Sequence, residues 1–303
     1  MPEEPLVIAG QGHLFTGLRH GSGDAVSGMH VQYQIPASVR YPYSLVLVHG
    51  GGGQGLDYLA TPDGRPGWAT IFLRDGYAVY VADRPGMGRS PHLRELHGAL
   101  APLPAGFAAR FAGPAAAGEP EHTQWPGSGL PGDPALDQFL AGQEPFAGDL
   151  ASAQEWLREG AAGLLDRIGP AAVITHSLGG AFGWLAADAR PELVRAVVAV
   201  EPFGPPFASL PGVGELSCGL TAVPLASGLR GLPVAVVTAE ASGHGAADRA
   251  TAEYLRAAGA EVTELRLADL GIRGNGHLMM LERNNEEIAR AITGWLSSRC
   301  AST

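Results

Sequence analysis

Basic side chains are scarce in this 303-residue sequence. Lysine and arginine together number 20, against 30 aspartate and glutamate residues, and the formal net charge is -10. The basic residues form no cluster that could follow a phosphate backbone. We therefore do not expect nucleic acid as a partner.

Cysteines and long apolar runs are also rare. The two cysteines, Cys218 and Cys300, show neither metal-ligand spacing nor the surroundings of a nucleophile, so we expect two structural or surface thiols and no metal site. No stretch approaches the roughly 18 apolar residues of a membrane-spanning helix. The acidic N-terminus lacks the basic and apolar regions of a signal peptide. These absences predict a cytoplasmic protein without a membrane partner.

Short apolar runs bounded by glycine, proline and aspartate recur along the chain, with room for a helix between them. This alternation is typical of a mostly parallel sheet with helices on both faces, so the predicted fold class is α/β. The length is compatible with a single domain over residues 1–303. The predicted strands are 30–35, 44–48, 77–82, 171–175, 195–200, 233–238 and 262–267, and the predicted helices are 67–75, 147–167, 178–189, 246–258 and 283–298.

The stretch from 91 to about 146 breaks this pattern. It is rich in proline, glycine and alanine and has no sustained periodicity. Its aromatic residues argue against a solvated linker, and a loop this long inside a compact domain is often functional. We expect it to form a lid or cap over the functional site. The aromatic residues concerned are Phe107, Phe111, Trp125, Phe139 and Phe146.

The most informative segment is Thr175-His176-Ser177-Leu178-Gly179-Gly180, directly after the apolar run 171–174. A buried strand that ends in His-Ser-x-Gly-Gly and continues into an alanine-rich helix is typical of a nucleophile elbow, which holds a reactive serine on a strained turn. Thr175 replaces the first glycine of the usual Gly-x-Ser-x-Gly pattern and should make the turn tighter. The segment predicts Ser177 as the nucleophile of a hydrolase.

A glycine-rich loop, His49-Gly50-Gly51-Gly52-Gly53, follows the apolar strand 44–48. Such a loop can present a backbone N–H to an oxyanion, and the N–H of Leu178 is the expected partner donor. A phosphate-binding loop is the rival interpretation, but the Gly-Lys-Ser/Thr ending is missing. We interpret His49 and His176 as structural or pocket-shaping residues.

His277 lies in a loop between the last predicted strand and the C-terminal helix. A catalytic histidine occupies this position when the triad follows the chain order Ser, acid, His. Two glutamates that end predicted strands lie between Ser177 and His277, namely Glu201 and Glu240. The commoner position of the acid, after the later strand, favours Glu240, and the residues alone leave both open.

Several segments resemble a small group of bacterial α/β-hydrolase carboxylesterases with a Ser-His-Glu triad. They cover most of the chain and include Thr61-Pro62-Asp63-Gly64-Arg65, Thr123-Gln124-Trp125-Pro126 and the run from Gly274-Asn275-Gly276-His277 to Arg283-Asn284-Asn285. In that group the acid follows the earlier strand, the sixth of the sheet, so the resemblance implies Glu201, with Glu240 as the alternative. It also implies the N–H of Gly51 as an oxyanion donor, and it is the sole basis for expecting a homodimer.

These residues predict two-step acyl transfer on an ester or lactone. Ser177 attacks the carbonyl, His277 moves the proton to the leaving alcohol, and Glu201 fixes the imidazole, with no cofactor required. The predicted substrate-binding residues are Gly50, Gln124, Trp125, His176 and Phe203, and their aromatic members favour an apolar small molecule.

Two other functions stay open at this point. The same fold supports acyl transfer, lactone formation, or cyclisation and elimination in specialised metabolism, and the composition is typical of a high-GC bacterial genome. A non-catalytic ligand receptor on a hydrolase scaffold is the other alternative.

Overall fold

A computed structural model describes residues 5–107, 109–112, 121–147, 150–205 and 228–300. Cys218 and part of the predicted lid lie outside these residues. The strands of the described chain are β1 (Ile8–His20), β2 (Val26–Pro36), β3 (Ser44–Val48), β4 (Val79–Ala82), β5 (Leu100–Ala101), β6 (Phe146–Ala147), β7 (Ala171–His176), β8 (Val194–Val200), β9 (Pro233–Thr238) and β10 (Glu261–Arg266).

Eight of these strands form one sheet in the order β1-β2-β4-β3-β7-β8-β9-β10. β1 pairs antiparallel with β2, and β2 pairs antiparallel with β4. All pairings from β4 to β10 are parallel. The short strands β5 and β6 form a separate antiparallel pair. The predicted α/β class with a mostly parallel sheet is therefore confirmed.

Helices cover the sheet and connect its strands. They are α1 (Trp68–Arg74), α2 (Arg94–His97), α3 (Pro134–Ala141), α4 (Leu150–Ile168), α5 (Gly180–Ala189), α6 (Gly245–Ala257) and α7 (Asn285–Cys300). Every predicted strand and helix overlaps an observed one, whereas β1 was not predicted. No helix in the described ranges is long and apolar enough to span a membrane.

The core lies on both faces of the parallel strands. Leu45 and Leu47 of β3 pack into one apolar cluster, and Val46 and Val48 pack into the other. Successive side chains of a strand point to opposite faces, so a strand buried on both faces consists of consecutive apolar residues. This burial explains why the central strands are readable from the sequence.

The parallel strands bring their carboxyl ends to one edge of the sheet, where α/β proteins bind ligands. The glycine loop follows β3, Ser177 follows β7 and Glu201 follows β8. The loop that carries His277 follows β10 and a 3₁₀ turn at Leu267–Leu270. Segments separated by more than 200 residues therefore meet at a single edge.

Candidate active site

Ser177 has the backbone conformation of a nucleophile elbow. Its φ is 52°, and Glu201, with φ of 42°, is the other non-glycine residue with positive φ in the described chain. Positive φ costs energy in residues with a side chain, so it persists only where the surrounding structure enforces it. The two strained residues end the neighbouring strands β7 and β8.

Glycines create the space that the elbow needs. A Cβ on Gly179 would collide with the carbonyl oxygen of His49, so only glycine lets the start of the helix approach the glycine loop. Thr175 is completely buried, and its methyl group faces Gly183, where an added Cβ would lie 3.6 Å away. The collision that excludes a side chain at Gly183 is with Val197, whose Cγ1 would lie 2.8 Å from an added Cβ, so the glycine lets the helix pack closely on β8.

Glu201 and His277 form a direct hydrogen bond. The Nδ1 of His277 lies 2.6 Å from Glu201 Oε2, and both side chains are buried. The other carboxylate oxygen, Oε1, accepts hydrogen bonds from the Ala239 N–H at 2.8 Å and the Ser242 hydroxyl at 2.5 Å. The Nε2 of His277 has no hydrogen-bond partner in the part of the chain that the structure describes. It is the ring nitrogen left to accept a proton.

Glu240, the alternative acid, is engaged elsewhere. It forms an ion pair with Arg273 and accepts a hydrogen bond from the Gly274 N–H at 2.9 Å. Its carboxyl group lies near the surface, and the pKa is lowered by these partners, the Gly274 N–H foremost. The structure therefore places Glu201, and not Glu240, on the imidazole of His277.

A second imidazole lies against His277. The ring of His244 stacks on that of His277 with centroids 4.8 Å apart, and His244 Nδ1 lies 3.6 Å from an Asp248 carboxylate oxygen. Burial alone would lower the pKa of His244, but Asp248 and Glu201 raise it overall. Burial, together with the charges of His244 and Arg110, lowers the pKa of His277 well below its usual value.

The pKa of the buried Glu201 shifts in the opposite direction, upward. Burial raises the pKa of Glu201, while the charge of His244 and the hydrogen bonds from Ser242 and Ala239 oppose that rise. Within the described residues, Glu201, His244 and His277 bring possible metal-ligand atoms within 4.8 Å of one another. Two of those side chains are already hydrogen-bonded to each other.

The glycine loop is fixed by side chains from the next strand end. The carbonyl oxygen of Gly50 accepts from Arg84 Nη2 at 2.9 Å and lies 2.9 Å from His49 Nδ1, while His49 Nε2 accepts from the Arg84 N–H at 3.0 Å. Burial and the Arg84 charge lower the pKa of His49 to about 3, so the ring is neutral. The Gly55 N–H donates to Asp83 Oδ1 at 2.6 Å. These contacts hold the loop that contains Gly51.

A cavity of about 20 Å³ lies at Ser177, enough for one water molecule. Gly50 and Gly51 form one wall, and Ser177, His176 and His277 form another. The remaining lining residues include the aromatic residues Phe107, Phe111 and Phe139 of the predicted lid stretch, and also Gly53, Asp57, Gln143 and Leu278. Leu178 directly follows Ser177 and is buried.

His176 and Phe203 contact His277. His176 Nε2 lies 2.9 Å from the His277 carbonyl oxygen, and the two rings are 4.5 Å apart. Phe203 contacts the His277 and His244 rings edge-on, with centroids 6.1 and 4.9 Å apart. Its N–H donates to the Ser177 carbonyl oxygen at 3.1 Å.

Gln124 and Trp125 do not line this cavity. Gln124 Nε2 donates to the Arg273 carbonyl oxygen at 3.1 Å. Trp125 is 1% exposed, its Nε1 donates to Asp133 Oδ2 at 3.3 Å, and its ring packs edge-on against Phe139. The structure thus places both residues outside the cavity, and Trp125 packs against the cavity residue Phe139. Their binding roles stay predictions.

Comparison with known proteins identifies the fold family. A family model for the alpha/beta hydrolase fold matches residues 43–216, more than half of the chain. The chain belongs to the α/β-hydrolase fold family. The match includes the glycine loop, the elbow and Glu201.

Similar individual proteins are known from fungi, bacteria and archaea. A probable secreted lipase, phiG, from a fungal species (strain ATCC 74256) is 36% identical, with 89% of this chain and 86% of the relative covered. The structure of a novel bacterial esterase is 26% identical, covers 99% of each chain and superimposes with a TM-score of 0.73. The Pyrobaculum calidifontis esterase, 16% identical with a TM-score of 0.51 over 98% of this chain and 88% of its own, shares the fold.

Three runs that carry the family resemblance, at 61–66, 123–126 and 274–285, contact one another in this hydrolase. Arg65 Nη1 donates to the carbonyl oxygens of Glu282 and Arg283 at 3.1 and 3.0 Å, and Asn285 Nδ2 donates to the Pro66 carbonyl at 2.9 Å. The N–H groups of Thr123 and Gln124 donate to the Gly274 carbonyl oxygen at 2.9 and 3.0 Å. Two separate runs thus hold the third, which carries His277.

Glu282 is the buried centre of this contact network. Its carboxylate accepts from Asn275 Nδ2 at 2.6 Å and from the Gly276 N–H at 2.9 Å, and it lies 2.6 Å from His122 Nε2. Sequence reasoning missed Glu282, as it missed His244, Asp57 and Arg84. His244 and Asp248 are four residues apart at the start of a helix, and this spacing was the one local sequence signal that the two side chains contact each other.

Proposed function

We propose that this chain is a serine esterase that hydrolyses carboxylic esters or lactones through an acyl-enzyme. The main support is the 2.6 Å hydrogen bond between His277 Nδ1 and Glu201, beside a strained Ser177 that lines the same cavity as His277. Together these features make up a nucleophile, a base and a group that orients the base. The family membership and the two relatives named as a lipase and an esterase agree with this assignment.

The reaction begins with Ser177 Oγ attacking the ester carbonyl while His277 Nε2 accepts the hydroxyl proton. The lowered pKa of His277 keeps the ring neutral and able to accept that proton at neutral pH. Glu201 holds the Nδ1–H tautomer and stabilises the imidazolium that forms. His277 then gives the proton to the leaving alcohol, and water repeats the sequence on the acyl-enzyme.

The N–H groups of Gly51 and Leu178 are the proposed oxyanion donors. Gly51 lines the cavity from the glycine loop, and Leu178 follows the nucleophile at the start of a 3₁₀ turn. Each such donor is typically worth about 3 kcal/mol in the transition state. His49 and Arg84 keep the glycine loop in place through the Gly50 carbonyl oxygen.

The proposed substrate is a small molecule with an apolar part, since three phenylalanines line the cavity. The fungal relative is called secreted in its name. The cytoplasmic location of this chain stays a prediction, as does a homodimer.

Ser177→Ala tests the nucleophile. We expect cleavage of p-nitrophenyl butyrate to fall by about 10⁴-fold or more, since the remaining site supplies only binding and oxyanion stabilisation. A fluorophosphonate probe should label the unaltered protein at Ser177 and fail to label the variant. Ser298→Ala, a change of a helix serine that bonds to the Trp295 carbonyl, is the control and should retain both activities. Ester cleavage that survives in Ser177→Ala would exclude the proposal.

A further inference from the structure

Among the residues that the structure describes, Asp57 is the one acidic side chain that lines the cavity at Ser177. It lies in the 3₁₀ turn Gly55–Tyr58 that follows the glycine loop. The carboxylate rests against Gly53, where an added Cβ would collide with Oδ2. Gly51 and Ser177 line the same cavity. A carboxyl group therefore shares this cavity with the nucleophile and a proposed oxyanion donor, and no step of the proposed mechanism uses it.

The surroundings of Asp57 disfavour a negative charge. Burial is the main cause that raises its pKa, to about 7, and the nearby carboxylates Asp83 and Glu144 add to the rise. The only opposing contribution is a hydrogen bond from the backbone of Gln54. No cation among the described residues is paired with Asp57. An ionised Asp57 would repel the oxyanion that forms when an ester carbonyl is attacked.

A hydrogen-bond donor on the substrate would remove this conflict. Buried polar groups are costly unless they are hydrogen-bonded, and a bond to a charged group is stronger than one between neutral groups. The Arg110 guanidinium packs 4.6 Å from the centroids of Phe107 and Phe111, two of the lining residues, so one positive charge already lies next to the cavity. A neutral hydroxyl group satisfies the carboxylate without adding positive charge.

The space next to Asp57 indicates where the rest of such a substrate lies. A groove of about 320 Å³ adjoins the cavity, and Asp57 and Phe139 line both. Its other lining residues are largely apolar and include Leu56, Leu59, Ala60, Ala141 and Leu281. The Asp57 carboxylate is therefore a polar group between the cavity at Ser177 and a largely apolar groove.

We propose that Asp57 binds a hydroxyl group that the substrate carries within a few bonds of the scissile carbonyl, so that hydroxy esters with an apolar chain are the preferred class. The inference rests on the proposed esterase function. It assigns Asp57 to substrate selection and gives it no part in bond cleavage.

The test compares p-nitrophenyl esters of butyric, 2-hydroxybutyric, 3-hydroxybutyric and 3-aminobutyric acid. The unaltered protein should prefer one of the hydroxy esters. In Asp57→Leu we expect kcat/KM for that ester to fall about tenfold to hundredfold, because one hydrogen bond to a charged group is lost. For the plain butyrate we expect a severalfold rise at pH 8, since the repulsive charge is gone. Asp137→Asn, which alters an exposed carboxylate on α3, is the control and should leave all four values unchanged.

Three results would overturn the inference. A preference for the amino ester would assign a cation site, and an equal loss on plain and hydroxy esters in Asp57→Leu would assign a structural role. Failure of both Asp57→Leu and Asp57→Asn to react with the fluorophosphonate probe would likewise mean that Asp57 maintains the glycine loop. None of these results affects the esterase function itself, which depends on cleavage and probe labelling by the unaltered protein.

Discussion

Replacing Glu201 by glutamine separates the charge of the proposed acid from its shape. Oε1 receives two donors, the Ala239 N–H and the Ser242 hydroxyl, and Oε2 faces His277 Nδ1. A glutamine would keep its carbonyl oxygen on the side of the two donors. Its NH₂ group would then point at His277 Nδ1, which must become an acceptor. The proton moves to Nε2, and Nε2 is the atom that has to accept the proton of Ser177.

The expected loss of activity follows from this change of tautomer. In a Ser-His-Asp triad the equivalent change of aspartate to asparagine lowers kcat by about 10⁴. Four factors of ten correspond to about 5.5 kcal/mol of transition-state stabilisation. We expect a loss of the same order in Glu201→Gln, because no orientation of the amide both accepts from the two donors and keeps the proton on His277 Nδ1.

The assay is kcat/KM on p-nitrophenyl butyrate, with thermal unfolding to check that the variant is folded. Glu240→Gln is the matched control, since Glu240 lies at the surface and the glutamine oxygen can still accept from the Gly274 N–H. Its ion pair with Arg273 is partly exposed, and such pairs contribute about 0–1 kcal/mol to stability. We expect less than about a threefold effect there. A larger loss in Glu240→Gln than in Glu201→Gln, or a folded Glu201→Gln within tenfold of the unaltered protein, would refute the assignment.

Two further predictions concern the surroundings of the site. Trp125→Ala should destabilise the fold by about 3–5 kcal/mol in urea unfolding, because it empties a buried aromatic position. The ratio of activities on butyrate and acetate esters should stay nearly unchanged. A changed ratio at full stability would show that Trp125 binds substrate. His244→Gln removes a charge that lowers the pKa of His277, so that pKa should rise and the acid limb of the kcat/KM profile should move to higher pH. A limb that stays in place or moves to lower pH would show that His244 carries no charge there.

The central strands that the sequence predicts, β3, β7, β8 and β9, are buried on both faces. β7 and β9 consist almost entirely of Val, Ala, Ile and Thr, and no surface helix has such a pattern. β1 has glycines at 10, 12 and 17 and alternates between exposed and half-buried residues. Its place in the sheet comes from pairing with β2 and packing against α4, neither of which is readable from its own residues.

The site could be predicted in part for a similar reason. Ser177, Gly51 and His277 lie in local patterns that the backbone geometry requires, an elbow and two glycine-containing loops. Gln124 and Trp125 belong to a segment whose place depends on contacts with Gly274 and Asp133. The contact with Gly274 joins positions about 150 residues apart, and no short pattern encodes such a distance. Asp57 gives no sequence signal beyond its position after the glycine loop.

The end of β9 retains a role in the proposed triad even though it does not supply the acid. The commoner arrangement places the acid after this later strand. Here the Glu201 N–H donates to the Val237 carbonyl of β9 at 3.0 Å, and the positive φ of Glu201 directs its side chain toward the His277 loop. Ala239 and Ser242, which follow β9, then donate to the same carboxylate. The turn after β9, which usually carries the acid, therefore donates hydrogen bonds to the carboxylate that follows β8. The proposed acid can follow β8 instead of β9 because the donors after β9 still reach it.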